Sequence, residues 1–317
     1  MAKIQARNVD DALYQRIEQS AMKNERSLEG EIRMALATAY PPPGQDKPVL
    51  SGRERWQRET GRRLSWLLDR LTEDNYFHMS GYGNKAGLSE IIRLARQVNT
   101  SPGLLMDIMQ GRQELTIELA DATAACLDAD ASWLLGGREP PFPTVNLGMD
   151  YHDFFRPTGD DARYVFEFIR ISKGRHDGTL LCLRIHPETG HMKQGAVTAE
   201  FKLCKDGSGG TGHGKLLGFM LFLKTHCADR AMNSFDWTPA DLDFDFWSVV
   251  GQHHPVWFQN FRYRNTAGWL QQLFSGQDPD GWFRGWEADL EKIRDTPFGG
   301  RESRGADAVP AARMGSK

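Results

Sequence analysis

"MAKIQARNVDDALYQRI" (residues 1–17) decides how the front of this chain folds. Polar and apolar residues alternate from Lys3 to Asn8. Ile4, Ala6 and Asn8 fall on one side of an extended segment, and Lys3, Gln5 and Arg7 on the other. A helix signal follows at once. Asp10 is placed to cap a first helix, and Asp11 adds negative charge where the helix dipole favours it. Leu13, Ile17 and Ala21 share one face of that helix. "KNER" (23–26) interrupts the pattern, and Ser27 caps a second helix whose apolar face is Leu28, Ile32 and Leu36. A solitary strand is not stable in water, and forty residues of strand, helix, turn and helix bury too little surface for a core of their own. A two-fold dimer answers both difficulties: the two strands pair antiparallel above four interlocked helices.

The stretch "RNVDDALYQRIEQSAMKNERSLEGEIRMAL" (7–36) resembles the ribbon-helix-helix family of DNA-binding proteins, and most closely the branch found in plasmid-stability antitoxins. The resemblance spans residues 3–38. In that family the paired ribbon lies in the major groove, which is wide enough for two strands. The resemblance therefore implies that Lys3, Gln5 and Arg7 read base edges, the alternative being the solvated side of a terminal strand. It further implies that the start of the second helix, at Ser27 and Leu28, grips a phosphate with Arg26 in support. Asn24 stands where the family has a turn glycine, and asparagine tolerates the left-handed conformation that such a turn requires.

Composition bounds the remainder. The chain has 317 residues, 40% hydrophobic and 26% charged, which fits a folded protein of two or three domains rather than a disordered one. A formal net charge of −3 provides no global attraction for a polyanion, so any nucleic-acid surface is local. Four scattered cysteines form no CxxC pair and favour neither a zinc knuckle nor a disulfide framework. The N-terminus has no secretory pattern, and "LLGFMLFL" (216–223) is too short to span a bilayer. A reduced, cytoplasmic location without membrane contact is expected.

"YPPPGQDKPVLSG" (40–52) cannot continue a helix, which sets a boundary after residue 40 and a proline-rich linker over 41–52. Residues 53–140 read as helical. "GRERWQRETGRRLSWLLDRL" (52–71) carries an apolar stripe of Trp56, Leu64, Leu67, Leu68 and Leu71. Arg55, Arg58, Arg62 and Arg63 lie on its remaining surface, as an ordinary solvated face or as auxiliary DNA contacts. Residues 87–137 resemble the helix-turn-helix core of phage-repressor-like regulators through "LARQVNTSP" (94–102), Gly111 and "AACLDADASWLLGG" (124–137). The helix in the reading position, "SPGLLMDIMQG" (101–111), offers Leu104, Leu105, Met106, Ile108 and Met109. It is better suited to packing against protein than to hydrogen-bonding bases.

From about residue 145 to 298 the texture is mixed and β-rich. "ARYVFEFIRI", "GTLLCLRIH", "GAVTAEFKLC", "KLLGFMLFLKTH" and "DLDFDFWSVV" read as strands, and "TAGWLQQLF" and "GWEADLEKIR" as helices. "CKDGSGGTGHGK" (204–215) reads as a hairpin loop rather than a phosphate cradle, because Lys215 precedes apolar residues suited to a strand. His226, Cys227, His253 and His254, or His253 with Asp243, are the only candidates for a metal site or an acid–base pair, and neither set has ligand spacing. Residues 299–317 read as a flexible tail.

The fold class expected is α+β multidomain: an N-terminal ribbon-helix-helix, a helical helix-turn-helix-like middle domain and a mixed β-rich C-terminal domain. No catalytic residue, metal or cofactor is assigned. The expected partners are double-stranded DNA, a second copy of the chain, and transcription machinery or another protein through the C-terminal block. The function implied is a dimeric bacterial transcription regulator of a plasmid or mobile element, activating transfer or maintenance genes. An antitoxin that represses its own toxin–antitoxin module is the alternative, and an enzyme with a DNA-binding head is the third.

Overall fold

The structure is a computed structural model that describes residues 8–40, 50–77, 85–148, 151–159, 162–205, 207, 209–260 and 262–299. The chain divides into two compact units, Met1–Arg55 and Trp56–Lys317.

In the first unit, helix α1 (Asp11–Lys23) starts at Asp10, whose carboxylate accepts the Leu13 N–H. Helix α2 (Leu28–Ala39) starts at Ser27, whose hydroxyl accepts the Gly30 N–H. Both caps are the ones the sequence assigns. The turn between them differs from expectation. Asn24 keeps a negative φ of −94°, and the left-handed position is held by Glu25 at φ 52°. Ala21 is the single buried residue described in this unit. Val9, Leu13, Tyr14, Ile32, Met34 and Leu36 are all exposed. Among its described residues this unit has no core of its own.

The second unit begins with helices. Helix α3 (Gly52–Glu73, entering this unit at Trp56) buries Leu64, Leu67, Leu68 and Leu71 completely, the leucines of the stripe read from the sequence, while Trp56 of that stripe is half-buried. Helices α4 (Leu88–Gln97), α5 (Pro102–Met109), α6 (Ile117–Cys126) and α7 (Ala131–Gly136) pack on it around one apolar cluster. Leu105 and Ile108 of α5 are fully buried in that cluster. At the crossing of α3 and α5 a Cβ on Gly61 would sit 2.1 Å from the Ile108 carbonyl oxygen, so only glycine permits the approach.

A six-stranded mixed sheet follows, in the order β1-β4-β3-β2-β5-β6. The strands are β1 (Thr144–Asn146), β2 (Val165–Ile171), β3 (Leu180–Ile185), β4 (Met192–Ala196), β5 (Ala231–Trp237) and β6 (Arg264–Thr266). β1 is parallel to β4 and β2 to β5, and the other neighbours are antiparallel. Alternation along β2 sends Phe166 and Phe168 into a cluster shared with α8 (His152–Phe155), α9 (Gly210–His226), α11 (Trp269–Phe274) and α12 (Glu287–Asp295). Ile169 and Ile171 enter a second cluster on the other face, with Phe246 of α10 (Phe246–Val249) and Phe258 of a 3₁₀ turn (Pro255–Gln259).

Three strand expectations are corrected. "KLLGFMLFLKTH" is helical and forms most of α9. Its run is apolar on nearly every side because the helix is buried, which erases the periodicity that would distinguish it from a strand. The glycine-rich segment before it therefore leads into a helix and not across a hairpin. "DLDFDFWSVV" forms turns and α10, started by Asp245 accepting the Trp247 N–H. In "GAVTAEFKLC" only Gly195 and Ala196 belong to β4. The short strands β1 and β6, and the polar-sided β5, carry no sequence signal strong enough to be read.

Candidate nucleic-acid interface

Lys3, Gln5 and Arg7, the expected base readers, lie outside the described residues. The expected phosphate grip is described. Ser27 satisfies one amide of the first turn of α2, and the other N–H groups there have no partner within the helix by construction. Two acidic residues, Glu29 and Glu31, share this turn, and they set the local electrostatics. Glu29 forms an exposed pair with Arg33 at 2.7 Å. Glu31 accepts from the Ser20 hydroxyl at 2.7 Å and the Asn24 amide at 2.9 Å, and it pairs with Arg26 at 3.5 Å. The Ser20 hydrogen bond leads in holding the Glu31 carboxyl below its ordinary value, with Asn24 and Arg26 adding to it and partial burial opposing. Arg26 is thus tethered beside the α2 N-terminus by Glu31, a role for Glu31 that no motif announced.

The arginines of α3 separate into two kinds. Arg63 donates through Nε to the Leu134 carbonyl at 2.7 Å and through Nη2 to that of Leu135 at 2.8 Å, which closes the C-terminal end of α7. Its guanidinium is engaged in holding the fold. Arg55, Arg58 and Arg62 are exposed.

The histidine candidates fall in different places. His226 ends α9, whereas His253 and His254 precede the 3₁₀ turn, where the His253 ring and the His254 backbone meet Asp74. His253 Nδ1 lies 2.6 Å from Asp74 Oδ1, and the His254 backbone N–H donates to Oδ2 at 2.7 Å. The carboxylate beside His253 is thus Asp74, and not Asp243, the partner considered and set aside on sequence grounds. Among the described residues no group of three or more His, Cys, Asp or Glu is placed to hold a metal ion.

His254 is fully buried, and its Nδ1 accepts the Val256 N–H at 3.1 Å, which puts the ring proton on Nε2. Nε2 in turn lies 3.3 Å from Asp128 Oδ2. Asp128 also accepts the Met192 N–H at 2.8 Å, and its other oxygen lies 2.7 Å from His191 Nδ1. Asp74 and Asp128 belong to the helical half of this unit and His191, His253 and His254 to the sheet half. The network is a polar seam between them. Sequence reading missed Asp74, Asp128 and His191 because isolated carboxylates carry no spacing signature. The one local hint is Asp128 in a left-handed conformation at φ 53°, which aspartate tolerates better than most residues.

Together the two caps and the paired helices define a small two-helix module with a single buried residue described. Residues 2–40 match the family model described as antitoxin FitA-like, ribbon-helix-helix, so the N-terminal unit carries a ribbon-helix-helix domain. No curated protein and no solved structure matches the chain. No helix among the described residues is long and apolar enough to cross a membrane.

Proposed function

We propose that the chain is a dimeric, sequence-specific DNA-binding transcription regulator. The observation that carries the reading is the ribbon-helix-helix match at residues 2–40 on a two-helix unit with a single buried residue described. Ile32 and Leu36 stand exposed on the face that a second copy would cover. Two N-terminal strands paired across that dimer place Lys3, Gln5 and Arg7 on one surface of a ribbon. Arginine or lysine there donates to guanine O6 and N7, and glutamine bonds adenine. The first-turn amides of α2 and Arg26 supply phosphate contacts that fix the register.

The large folded second unit favours recruitment of another protein over simple occlusion of DNA, hence activation. On this reading the source is a bacterial plasmid or other mobile element, and the genes controlled serve transfer or maintenance. The second unit has no catalytic role, and the phage-repressor-like segment 87–137 is a protein-packing scaffold rather than a second reader. A second reading, antitoxin, is favoured by the family description itself. Co-purification of a small nuclease with the full chain would establish it.

Fluorescence anisotropy of a selected duplex titrated with the full chain tests the proposal. Two chains bind each site, and affinity falls steeply with salt because phosphate contacts release counterions. One chain per site, or a flat salt response, would overturn it.

A further inference from the structure

A cavity of about 360 Å³ opens beside the polar seam, within the size range of small-molecule sites. Its walls come from α6 and the loop after it, from β1 and β4, and from the start of the 3₁₀ turn. The body is apolar, formed by Phe142, Pro143, Val145, Met192 and Pro255.

Its polar groups are few and one-sided. Gln194 is 1% exposed. Its Nε2 donates to the Phe142 carbonyl at 3.0 Å, which fixes the orientation of the amide. Its Oε1 is buried and has no hydrogen-bond partner. A buried, unpaired acceptor costs stability, about 1–3 kcal/mol in typical proteins, and calls for a donor. Asp128 borders the same cavity, and its carboxylate accepts from three groups: His191, Met192 and His254. A carboxylate has about four acceptor positions, so one is open. The two prolines contribute no N–H. Lys193 also borders the cavity, but alternation along β4 sends its side chain to the face opposite Met192 and Gln194. The wall thus holds an anionic acceptor at Asp128 and, just behind its surface, the unpartnered Gln194 oxygen, which a small shift of the amide would bring to an occupant of the apolar space.

We propose that this cavity is a binding site for a small amine with an apolar body, its ammonium or N–H group directed at Asp128 and Gln194 Oε1. Because Asp128 is also the link between the helical and sheet halves, the occupant rests directly on the seam and stabilises the second unit when bound.

The test uses the full chain without DNA, so its failure leaves the DNA-binding reading standing. The probes are phenethylamine and two matched controls, 3-phenylpropionate and 2-phenylethanol, followed by calorimetry and by the ¹³C-methyl resonance of Met192. Phenethylamine binds saturably, shifts the Met192 methyl and binds at least ten times more tightly than either control. Ala125→Trp, at an exposed position on the cavity wall, lowers that affinity at least tenfold while the melting temperature of the free protein is retained. Absence of saturable binding at millimolar phenethylamine, equal binding of the acid or the alcohol, or undiminished binding by Ala125→Trp would each overturn the proposal.

Discussion

Replacing Ile32 and Leu36 together by alanine perturbs the proposed dimer where the protomer is least complete. Ile32 and Leu36 retain 39% and 36% of their surface in the protomer. Full burial of such a side chain contributes about 1.5–3 kcal/mol, so covering the remaining surface of both contributes about 1–2 kcal/mol per protomer. Two-fold symmetry doubles this to about 2–4 kcal/mol per dimer. That range corresponds to a rise in the dimer Kd of about 30- to 700-fold, with the lower half expected because alanine keeps its Cβ. Sedimentation velocity of the full chain over a wide concentration range measures it. Met22→Ala is the control, since Met22 is 76% exposed and lies on the side of α1 opposite Leu13. A change below about threefold in the double variant, or an equal change in Met22→Ala, would refute the assignment of this face.

Other consequences can be measured separately. Lys224 is 3% exposed, and its ammonium donates to the Phe274, Ile293 and Arg294 carbonyls at 3.0, 2.6 and 2.9 Å, joining the ends of α11 and α12. Lys224→Met leaves three acceptors without their cation and destabilises the second unit by about 3–5 kcal/mol in urea unfolding, while exposed Lys292→Met stays within about 0.5 kcal/mol. The Glu31 carboxyl is held low chiefly by Ser20, so its contribution to the first unit is complete above the ordinary carboxylate pKa. That contribution is lost as pH falls through the lower folded value. Carboxyl NMR should show a depressed midpoint that Ser20→Ala raises. Arg63→Ala lowers stability by about 1–3 kcal/mol through the bared Leu134 and Leu135 carbonyls. Arg62→Ala instead leaves stability within about 0.5 kcal/mol, and if Arg62 meets a phosphate the salt slope of DNA binding falls by about 0.9.

The legible features of this chain are local ones. Asp10 and Ser27 announce their helices because a cap bonds an amide only a few residues away, and the leucines of α3 announce a buried face through their spacing. Helix α9 was illegible for the opposite reason: a helix wrapped by core on most sides has no polar face to set its period. Glu25, rather than Asn24, takes the left-handed turn position, since the hydrogen bonds from Glu25 to Met22 and from Arg26 to Ala21 place the reversal one residue later than composition implies. The seam of Asp74, Asp128, His191, His253 and His254, and the cavity beside it, depend on segments distant in sequence. Only folding brings them together.

On the proposed function the N-terminal ribbon, and no other part of the chain, selects the DNA sequence. Selection of bound duplexes from a random pool measures this directly, using the full chain and a variant carrying Lys3→Ala, Gln5→Ala and Arg7→Ala. The wild-type chain should enrich one two-fold symmetric motif, and the variant should remain a dimer and enrich none. Enrichment of the same motif by the variant would place base recognition elsewhere in the chain and overturn the assignment of Lys3, Gln5 and Arg7.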